Sequence, residues 1–235
     1  RDITSFIITN ERNKSLEDRL AQSEKMEALG RLAGGVAHDL NNVLTGIVAY
    51  PDLLLLKIPE DDPMRKKVTA IKKSGQKAAA IVEDLLSLSR RGVNKFTPLN
   101  INSLLKDIMD SPEVEKLKVY HPEVKFKFSK GKSVPAVSGA EYQISKVIIN
   151  LFTNACEAMP SGGSIYVSTR YESSSQGPLK YKNIPDGDYA VITVADEGIG
   201  ISKEDQKKIY EPFFTSKVMG RSGTGLGMAV VWGTI

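Results

Sequence analysis

Leu29-Gly30-Arg31-Leu32-Ala33-Gly34-Gly35-Val36-Ala37-His38-Asp39-Leu40-Asn41-Asn42-Val43-Leu44-Thr45-Gly46-Ile47-Val48-Ala49-Tyr50-Pro51-Asp52-Leu53-Leu54 is the stretch whose periodicity decides the fold. Within it Leu29, Ala33, Val36, Leu40, Val43, Ile47, Tyr50 and Leu54 step by four and three alternately, the spacing of a helix packed along an apolar seam. Leu16, Leu20 and the charged residues around them read as a helical lead-in, so the first helix is expected from about Glu11 to Lys57. Pro51 should remove one backbone hydrogen bond and bend it. Ile58 to Pro63 supplies a turn, and Val68, Ile71, Gly75, Ala78, Val82, Leu85 and Ser89 then form the stripe of a second amphipathic helix. A two-helix hairpin leaves one apolar groove open. Pairing two hairpins into a dimeric four-helix bundle covers it economically.

Working outward, Arg90 to Lys95 is a polar linker, and from Phe96 the periodicity becomes mixed. Strands are expected at Lys125 to Ser129, Ser164 to Tyr171 and Asp188 to Ala195. Helices are expected at Ile101 to Met109 and Glu141 to Met159, and a Ser/Gly/Pro-rich hairpin at Ser173 to Gly187. The fold class is therefore α+β, an antiparallel helical hairpin followed by a two-layer α/β domain. The expected division is 1–24 lead-in, 25–92 hairpin, and 93–235 second domain.

The 235 residues carry a formal charge of +4, with Lys and Arg spread along the chain and no dense basic cluster with interleaved aromatics. That pattern argues against a nucleic-acid partner. The one cysteine, Cys156, excludes an intrachain disulfide and reads as a small core residue in a reducing compartment. No apolar run reaches the length of a membrane span, and Arg1-Asp2-Ile3-Thr4 lacks the design of a signal peptide. The expectation is a cytoplasmic segment, excised from a parent that is soluble or membrane-anchored.

His38 lies between seam residues Val36 and Leu40, about 200° around the helix from Val36, and is expected to face solvent. Asp39 flanks it, and Asn42 follows one turn on, on the same face. An imidazole is largely neutral and nucleophilic at pH 7, and an adjacent carboxylate can accept one ring N–H while the other nitrogen attacks. Asn42 could hold a water or a phosphoryl oxygen, or simply be solvated. His121, in Tyr120-His121-Pro122, reads as an inert loop residue.

Asn150 and Asn154 share one helix face, where neutral amides can ligate a hard cation or meet phosphate oxygens. Asp196-Glu197-Gly198-Ile199-Gly200 ends a strand, where Asp196 could accept from an exocyclic amine and the glycines allow close approach. Gly223-Thr224-Gly225-Leu226-Gly227 opens an apolar helix, Met228 to Trp232, whose N-terminus and loop amides suit an anion. It matches neither a P-loop nor a dinucleotide fingerprint. Phe213-Phe214-Thr215-Ser216-Lys217 and the Gly/Ser-rich residues after it read as a mobile lid with a cation able to reach a terminal phosphate.

In order and spacing these five blocks resemble the H, N, G1, F and G2 boxes of bacterial two-component sensor histidine kinases, over nearly the whole chain. The resemblance implies a dimerisation and histidine-phosphotransfer hairpin followed by an ATP-binding domain of the Bergerat (GHKL) fold shared with gyrase, Hsp90 and MutL, incomplete at its C-terminus. It implies His38 as the phosphorylated residue, Asp39 as its acidic neighbour, and Asn42 as the position linked to response-regulator dephosphorylation. Asn150 would ligate Mg²⁺, Asn154 would contact phosphate, Asp196 would anchor adenine, and Gly198 and Gly200 would form the pocket floor. Phe214 and Lys217 would belong to the lid, and Gly223, Thr224, Gly225, Leu226 and Gly227 would wrap the phosphates of ATP. The implied partners are a second copy of the chain, a receiver domain, and an upstream sensor module of PAS type, whose tail Arg1-Asp2-Ile3-Thr4 resembles.

Asp39 and Val43 stand where many relatives have Glu and Pro, which resembles the subgroup with an HDxNN box. Cys156-Glu157-Ala158-Met159 carries no basic residue after the second Asn, leaving phosphate neutralisation to Mg²⁺ and Lys217. Superfamily members that hydrolyse ATP carry Glu at the position of Asn150, and an amide cannot act as a base. Transfer of the γ-phosphoryl group to His38 is thus favoured over hydrolysis. Two other readings compete: a non-catalytic dimeric scaffold that binds a receiver domain, and an ATP-driven clamp.

Overall fold

A computed structural model describes residues 2–89, 96–174, 185–215 and 224–235, without the side chains of residues 2–9, 11–19, 21–23, 26–27, 29, 31–33, 38 and 87–89. The chain divides into two compact units, residues 1–93 with 211–233, and residues 94–210 with 234–235.

In the first unit, α1 (Asp2–Leu55) and α2 (Met64–Ser89) form the expected antiparallel hairpin. Helix α1 starts at Asp2, earlier than the expected Glu11, and continues through Pro51. Asp62 accepts from the Met64 N–H to start α2, and the Arg65 guanidinium donates to the carbonyls of Leu55 and Ile58 at 2.9 and 2.8 Å. The last turn of α1 thereby gains donors for carbonyls that have no helical partner.

The seam differs from expectation by one residue. Among the described residues of α1, Gly30, Ala37 and Pro51 are withdrawn from solvent, with Gly34, Asn41, Leu44, Gly46, Val48 and Leu55 half-buried, whereas Val36, Leu40, Val43, Ile47, Tyr50 and Leu54 are exposed. Opposite them on α2, Val68, Gly75 and Val82 are buried, while Ile71 is exposed. The exposed stripe is not idle: Val43, Ile47, Tyr50, Leu54, Val68 and Ile71 line an almost wholly apolar groove of about 350 Å³. A Cβ on Gly75 would stand 2.9 Å from the Ile47 side chain and 3.3 Å from its carbonyl oxygen, the acceptor that lacks its usual donor because Pro51 has no N–H. Glycine thus sets the closest approach of the two helices.

In the second unit β2 (Val124–Ser129), β4 (Gly163–Ser173) and β5 (Asp188–Asp196) form a mixed sheet in the order β2-β4-β5, with β4 parallel to β2 and antiparallel to β5. These strands, α3 (Ile101–Met109) and α5 (Glu141–Ala158) fall where the periodicity predicts. Four elements were not foreseen: α4 (Pro112–Tyr120), a 3-10 turn at Asp205–Lys207, and the three-residue strands β1 (Thr97–Leu99) and β3 (Val137–Gly139), which pair with each other. Asn100 and Ser111 cap α3 and α4 by accepting from the backbone N–H three residues on. The ends of the expected Ser173–Gly187 hairpin meet through Ser174 N–H and the Gly187 carbonyl, and residues 175–184 lie outside the described residues.

Ile148, Phe152, Ala155 and Cys156 of α5 pack with Ile165 and Val167 of β4, Val124 of β2, and Leu104, Leu105 and Ile108 of α3 in one core. Phe126 meets Phe152 edge-on, with ring centroids 5.4 Å apart. Beside this core lies a buried polar knot. The Thr169 hydroxyl donates to Asn102 Oδ1 at 2.6 Å and accepts from Gly131 N–H at 2.8 Å, and Asn102 Nδ2 donates to the Gly131 carbonyl. Among the described residues no helix is long and apolar enough to cross a membrane.

Phe152→Ala removes a fully buried ring and should destabilise this unit by about 3–5 kcal/mol in urea unfolding. Thr169→Val keeps the shape but strands Asn102 Oδ1 and Gly131 N–H. A loss of about 2–4 kcal/mol is expected by the same measurement, despite an unchanged apolar area.

Candidate functional site

The expected acceptor patch lies on α1. Asp39 and Asn42 are both exposed and one helical face includes position 38, while the side chain of His38 is outside the described residues. Ala37, next to His38 in the chain, is fully buried.

In the second unit, the G1 block rests on the end of α5, the helix that carries the N block. Asn150 and Asn154 sit half-buried one turn apart, about 200° around the helix from the core residues Ile148 and Phe152. Past the helix end, Ile199 N–H donates to the Ala158 carbonyl at 3.1 Å. A Cβ on Gly198 would lie 2.7 Å from the Ala158 Cβ, 2.8 Å from its carbonyl oxygen and 2.6 Å from Asp196 Oδ1, so only glycine lets the loop lie on the helix terminus. Gly200 has open space around it but a φ of +72°, so backbone conformation is the requirement there.

Asp196 is the last residue of β5, paired with Ile165, and exposed. Its Oδ1 accepts from Gly198 N–H at 2.9 Å. The next residue, Glu197, reaches back over the sheet: one carboxylate oxygen accepts from Ser164 N–H and the other from the Tyr166 hydroxyl, both at 2.9 Å. Lys127, in register with Tyr166, donates to the same hydroxyl and sits 4.7 Å from the ring centroid. The hydrogen bond from Tyr166, then that from Ser164 N–H, hold the Glu197 carboxyl below its ordinary value. Glu197 is a residue that motif reading passes over, because its partners lie on β4 and only strand register brings them within reach.

Of the expected lid and glycine loop, residues 213–215 and 224–227 are described and belong to the first unit. Phe213, at φ +66°, donates its N–H to the Gly225 carbonyl at 3.0 Å, and Phe214 N–H donates to the Glu211 carbonyl. Gly225, at φ +67°, presses so closely on Phe213 that a Cβ would fall 2.5 Å from its carbonyl carbon. Thr224 Oγ1 accepts from Leu226 N–H, and α6 (Gly227–Thr234) follows, with Leu226, Ala229 and Val230 buried and packed with Leu85 of α2. Lys217 and Gly223 lie outside the described residues.

Cys156 is buried within α5, and burial, with the Glu157 charge, pushes its thiol up to about 11, so it is no nucleophile at neutral pH. His121 closes α4 through its backbone, its N–H donating to the Leu117 carbonyl, in keeping with a structural role. Among the described residues no three His, Cys, Asp or Glu side chains gather as a metal cage. One amide ligand fits Mg²⁺ that is held chiefly by phosphate oxygens and water.

Residues 28–93 match the His Kinase A (phospho-acceptor) domain, and residues 139–233 match the histidine kinase-, DNA gyrase B- and HSP90-like ATPase domain. Sensor kinase CckA of Brucella abortus is 38% identical over 234 residues, covering 99% of this chain and 24% of that protein. Sporulation kinase C of Bacillus subtilis is 30% identical, over 97% of this chain and 49% of that protein. The chain thus spans from about a quarter to about half the length of these relatives. The solved full-length ShkA in complex with AMPPNP shares the fold, with a TM-score of 0.64 and 20% identity over 87% of this chain and 40% of that one. Histidine kinase ThkA in complex with response regulator protein TrrA aligns with a TM-score of 0.51 and 23% identity, over 88% of this chain and 57% of that one.

Glu197 also gives a pH dependence. A carboxyl with a lower pKa folded than unfolded stabilises the fold fully above its unfolded value, ordinarily 4.5, and this contribution fades as pH falls through the folded value. Urea midpoints of the wild type and Glu197→Gln should therefore differ most near neutral pH and converge as the pH falls through the folded value.

Proposed function

Because the chain belongs to the two-component sensor histidine kinases, we propose that it transfers the γ-phosphoryl group of MgATP to His38 and passes it on to an aspartate of a receiver domain. The observation that carries this reading is the seating of the Asp196–Gly200 turn on the C-terminal end of α5, the helix that bears Asn150 and Asn154, through the Ile199–Ala158 hydrogen bond.

Asp196 Oδ2 accepts from the adenine amine, and Gly198 and Gly200 keep the turn flat enough for the base to approach. Asn154 contacts phosphate. The amide oxygen of Asn150 would be the protein ligand of Mg²⁺, which would neutralise charge on the triphosphate when bound. The amides of Gly223, Thr224, Gly225, Leu226 and Gly227 take phosphate oxygens, with Lys217 and Phe214 of the lid beside them. The unprotonated imidazole nitrogen of His38 forms the new P–N bond as the bond to the bridging oxygen breaks and ADP leaves. Asp39 holds the other ring N–H and stabilises the positive charge that develops on the ring. Asn42 orients a water in the reverse, dephosphorylating direction on the receiver.

The division of labour follows the expected domains: 25–92 for phosphotransfer and dimerisation, 93–235 for ATP binding. The groove lined by Val43, Ile47, Tyr50, Leu54, Val68 and Ile71 takes a second copy of the chain, which completes a four-helix bundle. The complex of histidine kinase ThkA with response regulator protein TrrA supports the receiver partner. A sensor module, such as a PAS domain, would precede Arg1 in the parent, and these reactions place the core's work in the cytoplasm.

Incubation with γ-labelled MgATP should give label on the protein that survives alkali and is lost in acid. His38→Gln should abolish it and Asn150→Asp should reduce it by at least about tenfold. ATP binding with no label would favour the scaffold reading, and steady ATP hydrolysis with no labelled protein would favour the clamp.

A further inference from the structure

The last rung of the β4–β5 ladder pairs Ile165 with Asp196, so the backbone leaves the sheet at the residue that carries the base-recognising carboxylate. Asp196 is exposed and past the ladder its carboxylate is held by Gly198 N–H of the same turn, so its aim depends on what fixes that turn. Glu197 supplies what the ladder no longer does. Its carboxylate accepts from Ser164 N–H, the next donor along β4, and so adds one more rung with a side chain in place of a strand. Its second oxygen is held by the Tyr166 hydroxyl, itself held by Lys127 on β2.

The approach is built for this contact. Gly163 precedes Ser164 at φ +149°, and a Cβ there would stand 3.5 Å from the Glu197 Cβ and 2.7 Å from Met159 Sδ. On its other side the turn is tied to α5 by Ile199 N–H on the Ala158 carbonyl. Residues 196 to 199 are thus fixed by backbone pairing at one end, by helix α5 at the other, and by Glu197 between them.

We propose that Glu197 is a positioning residue for base recognition, its carboxylate anchored on β4 so that the turn aims Asp196 at the exocyclic amine of adenine. The inference rests on the reading of Asp196 as the adenine contact. It implies that selectivity for the amine depends on a side chain that touches no nucleotide, and on a tyrosine and lysine one and two strands away. Replacing Glu197 should loosen the aim of Asp196 while leaving contacts to ribose and phosphate in place.

The test compares dissociation constants of the intact chain for ATP and for purine riboside triphosphate, which lacks the amine, both with magnesium. A hydrogen bond from the amine to an ionised carboxylate should make the wild type prefer ATP by between about tenfold and a hundredfold. Glu197→Gln should cut that preference by about fivefold or more, with affinity for the analogue changed by less than about twofold. Tyr166→Phe, which removes one of the two holds and keeps the ring, should give a smaller cut in the same direction. Equal weakening of both nucleotides in Glu197→Gln, with the preference intact, would mean a merely structural role and overturn the proposal. So would an unchanged preference in Tyr166→Phe if Glu197→Gln fails to fold. Asp196→Asn separates the premise: if it leaves the preference intact, the adenine reading of Asp196 falls and the proposal with it; if it abolishes a preference that Glu197→Gln leaves untouched, only the proposal falls.

Discussion

The burial of one face of α5 against the β2-β4-β5 sheet is the constraint on which the ATP-binding unit depends. Ile148, Phe152, Ala155 and Cys156 are withdrawn from water, and the hydrophobic effect that drives this also fixes the rotation of a rigid cylinder. Asn150 and Asn154 have no freedom to choose where they face, because they are set by the phase of the residues beneath them. The helix end is used as well, since Ala158 offers the carbonyl and the flat surface on which the Asp196–Gly200 turn rests. Core packing and site geometry are here one interaction seen from two sides.

What could be read from the sequence was whatever depends on neighbours along the chain. Helix α3, with five of nine residues buried on one face, lies where its periodicity says, and β2, β4 and β5 differ from expectation by one or two residues at their ends. Helix α4 was missed because it is barely amphipathic: Val114 is its one buried residue, and Ser111-Pro112 reads as readily as a turn. Strands β1 and β3 are three residues each and exist only because they find one another some forty residues apart. The same distinction runs through the site. The glycines and the two Asn stand out by spacing, whereas the partners of Glu197 belong to a strand more than thirty residues earlier.

The hairpin shows a subtler limit. The alternation of apolar residues in α1 is real, but periodicity does not say which partner each stripe meets. Ala37 and Pro51 are withdrawn from solvent, with Val48 and Leu55 half-buried, while the adjacent stripe through Val43, Ile47 and Tyr50 is exposed along the groove, with Ile47 and Val48 both reaching α2 at Gly75. A helix that must satisfy two partners carries two neighbouring stripes, and a seam counted from sequence can fall on either. Small residues mediate between these demands: at Gly75 the absence of a side chain lets α2 lie against the carbonyl that Pro51 leaves without a helical donor.

Cys156 has a consequence of a different kind. It is the chain's only sulfhydryl, it sits two residues from Asn154 on the helix that organises the site, and at a pKa of about 11 the thiolate makes up about one part in ten thousand at pH 7. An alkylating reagent can reach it only when α5 lifts from the sheet, so the rate of modification counts openings of that helix. The molecule thus carries its own clock for the breathing of its catalytic core, with no second thiol to confuse the reading.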